Sequence, residues 1–188
     1  MMNKLGLVLA VLLLQSGCAV VEEKPLEAYH LANMQQFQQD RPWQFEGRIA
    51  LANEKESISA SIGWVHQLDR DDIELTGPLA QGRLAIAVLP NKVIIEDGDN
   101  RQEFQGAVEA IFTEQLGVAV PVQALRYWVL GVNDPHQAFV EQVDGFGQSG
   151  WTVKFKEMQS VGGFTLPRKM GVEKELTKIK LIVDQWKI

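Results

Sequence analysis

The strongest constraint on this chain is a change of hydrophobic period at Trp43. From there on, apolar residues recur at every second position. Phe45, Gly47, Ile49 and Leu51 alternate with Glu46, Arg48 and Ala50. Ile58, Ala60, Ile62 and Trp64 alternate with Ser59, Ser61 and Gly63, and Ile73 and Leu75 with Asp72 and Glu74. Side chains of a strand point to opposite faces in turn, so each segment predicts a strand with one apolar face. Leu84, Ile86 and Val88 predict another. Val93 to Ile95 predict a strand that ends at Asp97-Gly98, a hairpin turn signal, with a short return over 101–105.

The period then changes to that of a helix. Val108, Ile111, Phe112 and Leu116 fall on one helical face, and Gly117 is a stop. A second short helix is expected from Pro121 to Leu130, carrying Val122, Leu125, Trp128 and Val129 and stopped by Gly131. Residues 132–137 read as loop. Strands resume near 138–143, at 151–157, at about 164–166 and at 177–186. Before the first strand, Leu31, Met34 and Phe37 form a helical stripe over 27–39 that Arg41-Pro42 ends.

Short links between strands favour an antiparallel meander. A curved sheet with an apolar inner face needs a cover, and the helices at 27–39, 107–116 and 122–130 are available for it. The fold class is therefore mainly β with helices: an incomplete antiparallel barrel under helical lids. Such a shape can enclose an apolar cavity or be filled by side chains, and periodicity does not choose between the two. Hydrophobic residues make up 46% of the 188, enough to build one core.

The N-terminus carries a different message. Lys4 precedes ten apolar or small residues, Leu5 to Leu14. A membrane-spanning helix needs about 20. A positive start, a short apolar core and small residues describe a secretory signal peptide over 1–17. The segment ends Gln15-Ser16-Gly17-Cys18, which resembles a bacterial lipobox, although Leu more often stands where Gln15 is. Cys18 is the only cysteine, so it can form neither an intrachain disulfide nor a multi-thiolate metal site. It reads as a lipidated mature N-terminus, followed by a tether over 18–26 and one domain over 27–188. Cleavage removes Lys4 alone, taking the net charge from -6 to one unit more negative. That sign disfavours nucleic acid, whose phosphates call for Lys and Arg.

No catalytic constellation stands out. Gly145-Phe-Gly147-Gln-Ser-Gly150 matches a dinucleotide fingerprint by letter. The next residues read as a strand and not as a helix, so a glycine-rich hairpin loop is expected. Asp97-Gly-Asp99-Asn-Arg101 reads as a turn, not a calcium loop. His30, His66 and His136 are far apart in sequence, and the carboxylates read as solvated faces. The expectation is a protein that is not an enzyme and has neither cofactor nor metal. One loop is unusual. Gly77 and Pro78 force a turn that puts Leu79 near its tip. Such a leucine either folds back onto the sheet or projects as an apolar finger.

Taken in order, several segments resemble the LolB family. They are Trp43-Gln-Phe-Glu-Gly-Arg-Ile-Ala50, Ser59-Ala-Ser-Ile-Gly-Trp64, Leu75-Thr-Gly-Pro-Leu-Ala-Gln-Gly82, Val120 to Gly131, Leu166-Pro-Arg168, Ile179-Lys-Leu181 and Asp184-Gln-Trp186, together with Cys18. The resemblance implies an outer-membrane lipoprotein receptor, anchored through Cys18 on the periplasmic face. Such a receptor accepts lipoproteins from a soluble LolA-like carrier, holds their acyl chains in an apolar cavity and inserts them into the membrane. It implies a projecting, functional Leu79 beside Pro78. Ala19 after the cysteine, in place of Asp, fits outer-membrane sorting. Candidate cavity residues are Ile49, Leu51, Ile62, Trp64, Leu75, Leu84 and Ile86 from strands, with Phe112, Leu116 and Trp128 from the lids. A monomer is expected. The competing reading is an assembly lipoprotein with a solid core that binds a partner protein through its surface.

Overall fold

The computed structural model describes residue 29, residues 41–78 and residues 82–188. The signal segment, the tether, Cys18, Leu79 and the helix expected over 27–39, Tyr29 apart, lie outside these residues. The described chain runs β1 (Trp43–Ala52), β2 (Ser57–Gln67), β3 (Arg70–Thr76), β4 (Arg83–Leu89), β5 (Lys92–Asp97), β6 (Asn100–Phe104), α1 (Val108–Leu116), α2 (Val122–Trp128), β7 (Phe139–Gln142), β8 (Gly145–Gln148), β9 (Trp151–Val161), β10 (Phe164–Lys174) and β11 (Thr177–Lys187).

All neighbours are antiparallel, in the order β6-β5-β4-β3-β2-β1-β11-β10-β9-β8-β7. The first six strands form one meander and the last five another, joined where β1 pairs with β11. The edge strands β6 and β7 do not pair, so the barrel is incomplete. The inward face carries what the period of two requires: Phe45, Ile49 and Leu51, then Ile62 and Trp64, then Ile73, all buried. The helices present Val108, Ile111 and Phe112, and Val122, Leu125 and Trp128, to the same core.

Two segments differ from the sequence expectation. Residues 145–148 form β8, where a loop is expected. The hairpin turn is only Ser149 and Gly150, both at positive φ. β8 runs very close to β9: a Cβ added at Gly145 would lie 1.9 Å from the Val153 carbonyl oxygen. Glycine is needed there for approach, and Phe146, buried opposite Val153, is the one apolar side chain the strand offers to a period of two. β10 is also longer than its expected core of 164–166. Pro167 sits at a bulge against β9, the place where a strand tolerates a residue without an N–H. The bulge carbonyl is not left idle: the Gln159 amide and the Trp186 indole N–H both donate to the Pro167 oxygen at 3.3 Å.

Candidate functional site

The register fixes what lies at each end of the sheet. Ala52 pairs with both Ser57 and Lys178, and Thr76 with Arg83. One end therefore collects the β1–β2 turn, the β3–β4 loop, the β5–β6 turn and the β10–β11 turn. The other end begins at Trp43, which pairs with His66.

That second end is closed. Trp43 lies against Trp64 at 5.5 Å, His66 at 5.2 Å and Trp186 at 6.0 Å between ring centres, and Phe45 packs on Trp186 at 5.2 Å. Aromatic pairs at such separations add to the stabilisation from area buried. Beside them sits Asp71, fully buried on the inward face of β3. Its carboxylate accepts the Trp64 indole N–H at 3.0 Å and the His66 Nδ1–H at 2.7 Å. Its second oxygen accepts from the Arg126 guanidinium of α2. A buried carboxylate requires this kind of company. The network ties a covering helix to two strands, although Arg126 Nε is left without a partner among the described residues.

A buried amide holds the last residue of the same helix. Gln148 accepts the Trp128 indole N–H at 2.8 Å and the Asp134 N–H at 2.9 Å. It donates to the Asp134 and Gln137 carbonyls, each at 2.9 Å. Farther along the same wall, Tyr29 stacks on Phe155 at 4.4 Å and donates its hydroxyl to the Gly131 carbonyl. Burial, and then the charge of Glu141, pushes the Tyr29 pKa well up.

Among the described residues the first end is open. A pocket of about 630 Å³ lies there, lined by Ile58, Ala60, Leu75, Leu84 and Leu116 and rimmed by Gly77, Pro78 and Gly82. Its volume is within the roughly 300–1,000 Å³ usual for small-ligand sites. Leu84 and Leu116 are only partly buried, unlike the residues of the closed end. The β3–β4 loop is pinched where the Gly77 N–H donates to the Gly82 carbonyl at 3.1 Å, with Pro78 exposed. α1 is fastened at this rim: Gly117 caps it in a left-handed conformation, and the Asn53 amide donates to the Gly117 carbonyl at 2.7 Å.

The ten expected wall residues thus divide. Leu75, Leu84 and Leu116 line the open pocket. Ile49, Leu51, Ile62, Ile86 and Phe112 are buried in the core behind it. Trp64 and Trp128 are deep, and both commit their N–H groups to buried acceptors. Asp71, Gln148 and Arg126 escaped the sequence reading. The signal for Asp71 was its phase: it falls in step with Ile73 and Leu75 on the inward face.

A larger groove, about 940 Å³, lies on the outer face of the sheet. Its charges neutralise one another in pairs, Arg70 with Asp72, Arg83 with Glu74 and Arg101 with Glu96. Apolar Val65, Ala85, Ala87 and Ile94 lie among these pairs, with Glu46 at one side. Among the described residues, no group of three or more His, Cys, Asp or Glu could hold a metal ion. No described helix is long and apolar enough to cross a membrane.

This open sheet under helices is similar in fold to two solved structures. The crystal structure of a LolA superfamily protein from Nitrosomonas europaea superposes with a TM-score of 0.53 at 11% identity, over 84% of this chain and 91% of that one. A DUF1329 family protein from Desulfovibrio piger gives 0.52 at 7% identity, over 84% and 89%. At such identities the likeness concerns the fold alone.

Sequence similarity goes further. Residues 41–186 match the family described as outer membrane lipoprotein LolB. An outer-membrane lipoprotein LolB of Halorhodospira halophila is 31% identical over 96% of this chain and 92% of its own length. Namesakes from Nitrosococcus oceani and Chromohalobacter salexigens are 26% and 29% identical over 98% of this chain. The chain belongs to the LolB family, and with it to the outer-membrane lipoprotein receptors of lipoprotein transport.

Proposed function

We propose that the protein takes the acyl chains of a lipoprotein from a soluble LolA-like carrier into the pocket at the open end and passes them to the outer membrane. It is held at the periplasmic face of that membrane by lipid on Cys18, and 27–188 is the working domain. The observation that carries the reading is the asymmetry of the barrel: an apolar pocket at the end that bears the Gly77–Gly82 loop, and a packed, hydrogen-bonded floor at the other.

Each CH2 taken from water into such a pocket gains about 0.8 kcal/mol. A carrier, a receptor and a bilayer that bind acyl chains with rising affinity therefore move cargo without nucleotide hydrolysis. No bond is made or broken in that transfer; Ile58, Leu75, Leu84 and Leu116 supply the apolar part of the lining, and Ser57, Ser59, Arg83, Asp97 and Gln115 the polar part. The β3–β4 loop beside the pocket carries Leu79, whose role here is to enter the membrane when cargo leaves.

The test is transfer. Mature protein mixed with lipoprotein-loaded carrier removes the cargo from it and delivers it to liposomes. Leu79→Glu still accepts cargo but fails to deliver it. Carrier that keeps its cargo in the presence of the mature protein would refute the reading. Mass spectrometry of the mature N-terminus tests the anchor, and an unmodified Cys18 would remove it.

A further inference from the structure

Charge is unevenly spread along this chain. Residues 151–188 hold eight Lys and Arg against four Asp and Glu, whereas the whole chain holds 18 against 24. These residues are β9, β10 and β11. Lys154 and Lys156 alternate with buried Val153 and Phe155, and Lys178 and Lys180 with buried Ile179 and Leu181. All four lysines therefore stand on the outer face, exposed. The register brings them together, since Gly171 of β10 pairs with Lys154 on one side and Lys180 on the other.

The rest of the outer face is different. On β1 to β6 the bases are matched: Arg48 with Asp184, Arg70 with Asp72, Arg83 with Glu74, Lys92 with Glu103 and Arg101 with Glu96. Among the described residues, no acid lies within ion-pairing distance of Lys154, Lys156, Lys178 or Lys180. Of the acids on β9 and β10, Glu157 is already held by Lys169 and Arg168, and Glu173 stands opposite Lys178 in the ladder. The strands end in a tip, Glu175-Leu176, where Leu176 is 63% exposed. This tip is at the same end of the sheet as the open pocket. Two of the other turns there are acidic, with Glu54 and Glu56 and with Asp97 and Asp99, so this end does not suit an anionic surface as a whole.

We infer that the outer face of β9–β11 and its tip form a docking surface for an anionic phospholipid membrane. Leu176 enters the interfacial layer, and Lys154, Lys156, Lys178 and Lys180 meet the phosphate headgroups. This rests on the reading that the protein works at a membrane surface, and it adds an orientation. The domain leans on its C-terminal strands, at the end of the sheet that also bears the β3–β4 loop. An apolar tip beside a basic face is the pattern by which peripheral proteins lie on membranes, and each Lys near such a surface shifts the bound fraction about fivefold.

The experiment places a fluorescent thiol probe on Leu176→Cys in the lipidated mature chain. Leu68→Cys, at the tip of the β2–β3 turn on the opposite end and 82% exposed, is the control. Acylated Cys18 does not react, so each variant has one free thiol. In vesicles of phosphatidylcholine with phosphatidylglycerol, the probe at 176 should shift to the blue and be quenched by nitroxide lipids, while the probe at 68 stays aqueous. Lys154→Gln, Lys178→Gln and Lys180→Gln together should lower the docked-to-undocked ratio about 100-fold, as should high salt. A probe at 176 that stays aqueous overturns the inference. So does a shift that the glutamines leave unchanged, or one that appears only when carrier is added, which would mark a protein-docking face. A parent chain that labels at Cys18 refutes the anchor and not the docking face. Docking is then read from cosedimentation of that chain with the same vesicles, which the three glutamines should abolish; undiminished cosedimentation overturns the inference.

Discussion

Replacing Arg126 by Met tests how the helical cover is held. The guanidinium is the cationic partner of Asp71, a carboxylate with no exposure of its own. Without it, Asp71 keeps only the donors Trp64 and His66. Stripping the partner from a buried charge costs about 3–5 kcal/mol. The Arg126 side chain is 22% exposed, so water reaches the pair and the lower end of that range applies. A loss of about 3 kcal/mol is a large share of the roughly 5–15 kcal/mol that holds a domain together. With a urea slope of about 2 kcal/mol per M, the unfolding midpoint falls by about 1.5 M. The tryptophans of the closed end report that transition by fluorescence. The companion variant Asp71→Asn with Arg126→Met removes both charges and should lose less than the sum of its parts, with a coupling of about 1–3 kcal/mol. Amide exchange should quicken in α2 before it does in β1 or β11. A midpoint shift under about 0.5 M, or strict additivity in the double variant, would refute the claim that this pair fastens α2 to the sheet.

Three further outcomes are expected. Ala60→Trp fills the pocket between β2 and α1, so cargo uptake from the carrier falls while the circular dichroism spectrum is kept; normal uptake would place the acyl chains elsewhere. Gly145→Ala drives a methyl into the Val153 carbonyl and should lower stability by about 1–3 kcal/mol, read as a fall in Tm; an unchanged Tm would show that β8 can move away. Hydrogen bonding from Lys169, joined by Arg168, holds the Glu157 carboxyl below the usual carboxylate range. Its contribution is complete above the ordinary carboxylate value and is lost as pH falls through the lowered one. Glu157→Gln should thus be less stable than the parent above about pH 5 and lose that difference only as pH falls through the lowered value, and equal stability of the two at about pH 6 would contradict the pairing.

Much of the sheet can be read from spacing because one of its faces is dry. The alternation from Trp43 to Ile95 carries β1 to β5 almost residue by residue, and Gly117 marks the end of α1. β8 is hidden because its pairing demands glycine at 145 and leaves Phe146 as its one apolar side chain, too little to show a period. β10 is hidden past Leu166 because Pro167 looks like a strand breaker until the bulge and its two donors are seen. The same holds for the site. Leu75, Leu84 and Leu116 look like core residues in the sequence, and only the register shows that they meet at the unplugged end. Asp71 looks like one acid among several, because its three donors come from β2 and from a helix 55 residues away. What a local pattern conveys is which face a residue takes; what fills or vacates the space beyond it depends on strands distant in the chain.

The closed end has one more consequence. Packed indoles and a buried ion pair floor that end among the described residues, so on the proposed reading an acyl chain held in the pocket does not leave through the floor. It backs out toward the rim where Gly77 and Gly82 meet, headgroup first. On that reading donor and destination present themselves in turn at one end of the sheet.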